Sequence, residues 1–210
     1  MTEPIINPPL AGFETIKRFW DKRRNIVIAK ILPGEFYVTK SPECISTVLG
    51  SCISACIWDE VNQVGGMNHF LLPSRSANSS SSWGDPSSYT TRYGNWAMEY
   101  LVNEVIKQGA TRNNMKAKVF GGGKIINVMT TDVGNGNVEF VLEYLKLENI
   151  PIIAHDTGGP WPRKVMFDPL TGRAQVKKLR SMHNDTVQRR ERQYVSDVVQ
   201  GEQESNIELF

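Results

Sequence analysis

The chain has 210 residues, 40% hydrophobic and 22% charged, and its 24 Lys and Arg against 22 Asp and Glu leave a net charge of +2. That balance is enough to bury a core and excludes a chain disordered throughout, while near-neutrality excludes a molecule-wide binder of nucleic-acid backbones. No apolar run approaches the ~18 residues of a membrane span and the N-terminus lacks a signal-peptide pattern, so the expectation is a cytoplasmic protein with no direct membrane insertion.

In chain order, residues 1–34 read as an N-terminal extension. Residues 13–24 mix charge and aromatics without a firm element, whereas 26–30 and 36–39 read as two strands around the Pro33-Gly34 turn. From Cys52 the chain alternates, with Cys52, Ser54, Cys56 and Trp58 on one face and Ile53, Ala55 and Ile57 on the other. After a turn over 59–64, residues 67–72 read as a second strand, and a hairpin of the two brings Cys52 and His69 into one neighbourhood. Residues 74–88 are nearly all small or polar and read as a mobile surface loop bordering the His69 strand. Helical spacing of apolar residues from Tyr93 to Ile106 predicts a helix stopped by Gly109. Residues 116–120 read as a strand running into Gly121-Gly122-Gly123, and 138–147 as a second helix capped by Asn135 or Asn137. Three more strands follow at 152–154, 164–167 and 174–178. The body of the domain thus spans 35–179, a strand-rich mixture of α and β, and 180–210 reads as a polar C-terminal tail, basic at Arg189, Arg190 and Arg192, then acidic.

Among candidate chemical groups, Gly50-Ser51-Cys52 places a lone thiol after a glycine turn, and Asn68-His69-Phe70 places a lone imidazole across the hairpin. A free thiol near pKa ~8.5 is only ~3% ionised at pH 7, and lowering that pKa by two units takes ~2.7 kcal/mol of preferential thiolate stabilisation. A neighbouring imidazolium supplies it. The same ring can protonate a leaving amine while backbone N–H groups near Ser51 and Cys52 hold the developing oxyanion, so acyl transfer is the class implied. Taken alone, single Cys and His residues are weak signals, and the pair reads as a small buried hydrophobe and an incidental strand histidine. Cys44 and Cys56 lack the glycine-turn context and read as structural, reduced thiols.

Gly121-Gly122-Gly123-Lys124 is no phosphate loop, because Lys118 stands where the first glycine belongs and Ile125 replaces the Ser or Thr. The glycines read instead as a sharp turn or a close packing contact. Only three histidines occur, His69, His155 and His183, and none has metal-ligand spacing, so no metal is expected. His155-Asp156 reads as a strand-end pair rather than the partner of His69. No aromatic platform accompanies the arginines of the tail, so no nucleic acid is expected as a partner.

Thr47-Val48-Leu49-Gly50-Ser51-Cys52, the run Gly65 to Pro73 containing Asn68-His69-Phe70, Arg92-Tyr93-Gly94 with Ala97-Met98, and Lys118 to Gly123 together resemble the CheD family. With 156–159 and the stretch from Arg163 to Phe167, the resemblance covers 37–179. It implies an α/β sandwich with flanking helices, similar to bacterial toxin deamidases, and a protein-glutamine deamidase acting on methyl-accepting chemotaxis receptors without a cofactor. It also implies a Cys-His-Thr triad, with the Cys at Cys52 and the His at His69. Where the family often has Thr, this chain has Ser46 with Thr47 beside it, and either hydroxyl can orient an imidazole. Gly50, Ser51 and Asn68 are the expected substrate-binding residues. A CheC-type phosphatase is the further partner implied, and two alternatives stay open: a non-catalytic regulator of such a phosphatase, or a thiol hydrolase of another substrate class.

Overall fold

The computed structural model describes residues 6–72, 89–124, 133–180, 186, 187, 189–194 and 196. In chain order the elements are β1 (Lys17–Asp21), β2 (Ile26–Lys30), β3 (Phe36–Thr39), β4 (Glu43–Leu49), β5 (Ile53–Asp59), β6 (Val64–Asn68), α1 (Tyr89–Lys107), β7 (Lys116–Gly121), α2 (Val133–Leu147), β8 (Ile152–Thr157), β9 (Arg163–Phe167) and β10 (Ala174–Lys178). A short 3-10 turn, Arg112–Asn114, precedes β7. The strands form two five-stranded mixed sheets, ordered β1-β2-β4-β9-β10 and β3-β6-β5-β7-β8. Each holds one parallel pair, β2 with β4 and β7 with β8. The α/β, strand-rich expectation holds in this form.

β5 is the centre of the second sheet and is buried along its whole length. On one face Trp58 meets Phe167 of the first sheet, ring centroids 6.0 Å apart. On the other, the Ala55 position is bridged to the Ala97 carbonyl of α1 through the Asn68 side chain. Such two-sided burial is what an almost continuous apolar run such as Ile53 to Trp58 requires.

Three expectations change. The strands 26–30 and 36–39 do not pair with each other: β2 lies parallel to β4 in the first sheet and β3 antiparallel to β6 in the second. The intervening segment crosses between sheets, held by Ile31 N–H on Ser46 O at 3.1 Å and Gly34 N–H on His69 O at 2.7 Å. β1, unassigned from sequence, is an edge strand paired with β2 and carrying no buried residue, so it lacks the alternation that marks a strand. α2 begins at Val133, so Asn135 and Asn137 lie inside it rather than at its cap. Its first turn packs on the glycine run, where a Cβ at Gly134 would lie 2.6 Å from Gly122 O. The close packing contact read for the glycine run is thus a touch of two backbones. The 74–88 loop lies outside the described residues.

Candidate active site

β4 belongs to one sheet and β5 to the other, so the chain switches sheets through Gly50, Ser51 and Cys52. All three carbonyls are held from behind. Gly123 N–H donates to Gly50 O at 2.7 Å, Gly122 N–H to Cys52 O at 2.8 Å, and Asn137 Nδ2 to Ser51 O at 2.8 Å. The approach is close enough to require glycine: Gly121 has φ +118, and a Cβ there would lie 2.2 Å from Cys52 O. With the carbonyls tied back, the three successive N–H groups face the opposite side and form a nest for negative charge.

That nest is filled by a carboxylate of the chain's own C-terminal segment. Residues 189–194 are helical, and Glu191, 1% exposed, accepts from Gly50 N at 2.8 Å, Ser51 N at 2.9 Å, Cys52 N at 3.2 Å and Ser51 Oγ at 2.5 Å. Arg189, Arg190 and Arg192 are exposed, as a solvated tail would have them, but Glu191 is not. A glutamate among arginines in a polar run carries no sequence signal for burial. Its only trace is the helical spacing of Val187, Glu191 and Tyr194 along one face.

His69 follows β6. The register of the β5–β6 hairpin continues through an Ile53–Phe70 bridge, which sets His69 opposite Ser54 and puts Cys52, two residues along the same face, on the diagonal. This face looks to the first sheet, and there His69 Nδ1 lies 2.7 Å from Thr47 Oγ1. Thr47 and Ser46 are neighbours on β4 and point to opposite sides. Accordingly Ser46 Oγ donates to Val165 O at 3.0 Å and does not meet the imidazole. Asn68, also expected at the substrate, faces the helices: its Oδ1 accepts from Ala55 N–H at 2.8 Å and its Nδ2 donates to Ala97 O at 3.2 Å. Asn137, which read as a cap, bridges Leu72 N–H and Ser51 O and so braces the nest.

The hydroxyl of Thr47 settles the protonation of the ring. It donates its one proton to Ile31 O, 2.8 Å away, so toward His69 it can only accept, and Nδ1 carries the hydrogen. Nε2 then presents a lone pair, and among the described residues nothing bonds to it. Burial pushes the His69 pKa down to about 3. Burial, then the charge of Glu191, pushes the Cys52 thiol well up. Under the tail the pair is neutral, thiol and imidazole, rather than the thiolate and imidazolium expected from sequence. Cys44, half-buried, is raised to about 11 by burial, and Cys56 is raised too.

A buried neutral histidine makes stability depend on pH. Between the ordinary value of 6.5 and the buried value of about 3, the unfolded chain binds a proton that the folded chain does not, so stability is complete above pH 6.5 and falls as pH drops through this window. From pH 7 to pH 5 the His69 contribution is expected to fall by about 2 kcal/mol. Urea unfolding of the wild type and His69→Gln at the two pH values measures it, as the part of the wild-type loss that the variant lacks.

A cavity of about 400 Å³ opens beside His69 and Thr47, walled by Lys30, Lys164, Leu179 and the tail. His155 and Asp156 lie on β8, at the far edge of the second sheet. There Asp156 pairs with Arg163 at 2.8 Å and Lys178 at 3.4 Å. Among the described residues no group of three or more His, Cys, Asp or Glu side chains could hold a metal ion, and no helix is long and apolar enough to cross a membrane.

A thiol and a neutral imidazole on one face, an ordered hydroxyl behind the ring and a nest of N–H groups beside the sulfur are the parts that acyl chemistry at a carbonyl needs. The chain belongs to the CheD family: residues 71–178 match the model described as CheD chemotactic sensory transduction. It is 47% identical to a probable chemoreceptor glutamine deamidase CheD of Halorhodospira halophila, over 96% of this chain and 93% of that one. With the protein of the same name from Hahella chejuensis it shares 43% identity, over 97% and 95% of the two chains. A solved structure, the Bacillus licheniformis hypothetical protein YfiH, overlaps 58% of this chain and 50% of its own at 14% identity and a TM-score of 0.35, too low to bear on the fold.

Proposed function

We propose that this chain hydrolyses glutamine side-chain amides of chemoreceptors to glutamate and ammonia, with Cys52 as nucleophile and His69 as general base and acid. The observation that carries the reading is the hydrogen-bond chain from His69 Nδ1 through Thr47 Oγ1 to Ile31 O, which leaves Nε2 as a base on the face that Cys52 shares. Membership of a family whose relatives are named for this activity supplies the substrate class.

In this mechanism Cys52 Sγ attacks the carboxamide carbon as His69 Nε2 takes the thiol proton. The oxygen, now negative, rests on the N–H groups of Gly50, Ser51 and Cys52. The C–N bond breaks as His69 protonates the departing nitrogen, and ammonia leaves behind a thioester. Water then adds with its proton passing to His69, the C–S bond breaks, and glutamate and the free thiol result. Thr47 is the positioning residue of the ring; Ser46 and Asn68 hold strands and helix together.

Thr47→Val is expected to lower kcat by roughly 10²-fold with little change in KM, since an unanchored ring loses its tautomer and direction. Ser46→Ala leaves kcat nearly unchanged. Steady-state ammonia release on a receptor fragment distinguishes the two. The proposal as a whole is tested by peptide mapping of chemoreceptors from cells expressing the full chain or its Cys52→Ala variant. Glutamine sites converted to glutamate only with the wild type support it, and identical amide content in both overturns it.

A further inference from the structure

The contact between Glu191 and the nest has the form of a bound product. Four donors converge on one carboxylate, all four are neutral, and three of them are successive backbone N–H groups. Neutral donors alone do not set it apart, since buried Asp59 is likewise held by the N–H groups of Val61, Asn62 and Thr111 and by Asn62 Nδ2; the backbone donors to Glu191 are those of the candidate nucleophile and the two residues before it. Glu191 is matched as an oxyanion would be. Cys52 donates its own N–H to the same carboxylate, and burial, then the charge of Glu191, raises its thiol pKa. A glutamate whose carboxyl group rests on the N–H groups that lead into Cys52 occupies the position of a glutamine side chain just hydrolysed.

The segment that delivers it is fixed at a second point. Tyr194, three residues on along the helix, bonds through its hydroxyl to that of Tyr93 on α1. Its ring packs on Gly34, where a Cβ would lie 2.9 Å from Cε2. Val187, four residues before Glu191, is half-buried and helps wall the cavity beside His69. Residues 187, 191 and 194 therefore form one inward face of a helix on which Thr186, Arg189, Arg190, Arg192 and Gln193 are exposed.

We propose that the C-terminal segment 189–194 lies in the substrate site as a product mimic, with Glu191 seated where the side chain of a receptor glutamate lies after deamidation. The site therefore accepts its glutamine from a helix, in the pose Glu191 shows, and this segment must leave before a receptor helix can enter. This inference rests on the deamidase reading above and adds to it the substrate pose and an intramolecular competitor.

A consequence is that the chain should process its own tail. In Glu191→Gln the nest receives an amide in place of the carboxylate. Cys52 Sγ attacks its carbon, His69 carries the thiol proton to the leaving ammonia, and water cleaves the thioester to restore glutamate at position 191. The net change is one water consumed and one ammonia released, a mass gain of about 1 Da. Purified full-length Glu191→Gln is followed by intact mass and by mapping of the peptide that spans position 191, beside Glu191→Gln/Cys52→Ala, and chemoreceptor fragments are assayed with the same preparations. The expected result is glutamate at position 191 in the first and a retained amide in the second. A second arm compares Glu191→Ala with the wild type. Emptying the nest is expected to speed receptor deamidation at least about fivefold. An amide that persists at position 191 while receptor glutamines are converted overturns the mimicry and leaves the deamidase reading intact. Persistence at both sites overturns the deamidase reading itself, and an unchanged rate in Glu191→Ala overturns the requirement that the tail leave.

Discussion

Cys52→Ala and His69→Ala are each expected to slow receptor-glutamine hydrolysis by at least about 10⁴-fold, and the double variant no further than the slower single one. The non-additivity follows from the shared proton. In the proposed mechanism, with the ring neutral and its Nδ1–H on Thr47, Nε2 is the acceptor for the thiol proton. Without that base the thiol, raised above its ordinary pKa, stays un-ionised at neutral pH. Without the sulfur, the base has no partner to activate. What remains in either variant is the nest of N–H groups, which still polarises a bound carbonyl and leaves a residual rate. Ammonia release from a receptor fragment measures the four rates. Losses that multiply across the double variant would mean that the two side chains act in separate steps, and the single proton path from Sγ to Nε2 would be wrong.

How much of this was legible before the coordinates depends on which forces act locally. β2 and β3 stand where short apolar or β-favouring runs flanking a turn predict them, because local propensity and burial agree there. The partners of β2 and β3 were not legible, since Pro33-Gly34 reads as a hairpin turn while the cross-sheet bonds of Gly34 and His69 depend on residues 35 positions apart. At the site, Cys52 and His69 stand out by motif, whereas the choice between Ser46 and Thr47 needs the side of β4 that faces His69. Strand alternation guarantees that one of two neighbours faces it; only the fold says which. Asn137 misled for a related reason: an asparagine near a helix start satisfies the cap pattern, but the helix begins earlier because Gly134 lets it touch the glycine run. Glu191 was invisible, as its burial comes entirely from long-range contacts with residues about 140 positions earlier.

Gly121→Ala is expected to damage both stability and turnover. Two costs combine. The backbone at φ +118 is one that L residues rarely adopt, and the added Cβ would stand 2.2 Å from the carbonyl oxygen of Cys52, an atom fixed by the Gly122 N–H. Neither party is the end of a flexible side chain, so relief requires moving the β5–β7 pairing or the sheet crossing itself. The two costs together are expected to destabilise the protein by about 4 kcal/mol. In whatever fraction folds, a shift of about 1 Å in Cys52, the proposed nucleophile, is enough to reduce turnover roughly 10²-fold. Gly159→Ala separates the contributions, because Gly159 also has positive φ, +76, but a Cβ there meets nothing within 4 Å. Its expected cost is about 1 kcal/mol with activity retained. Urea unfolding and receptor deamidation of both variants then report the backbone strain alone in one and strain plus contact in the other. Equal losses in the two would show that the glycine run serves the turn and not the placement of Cys52.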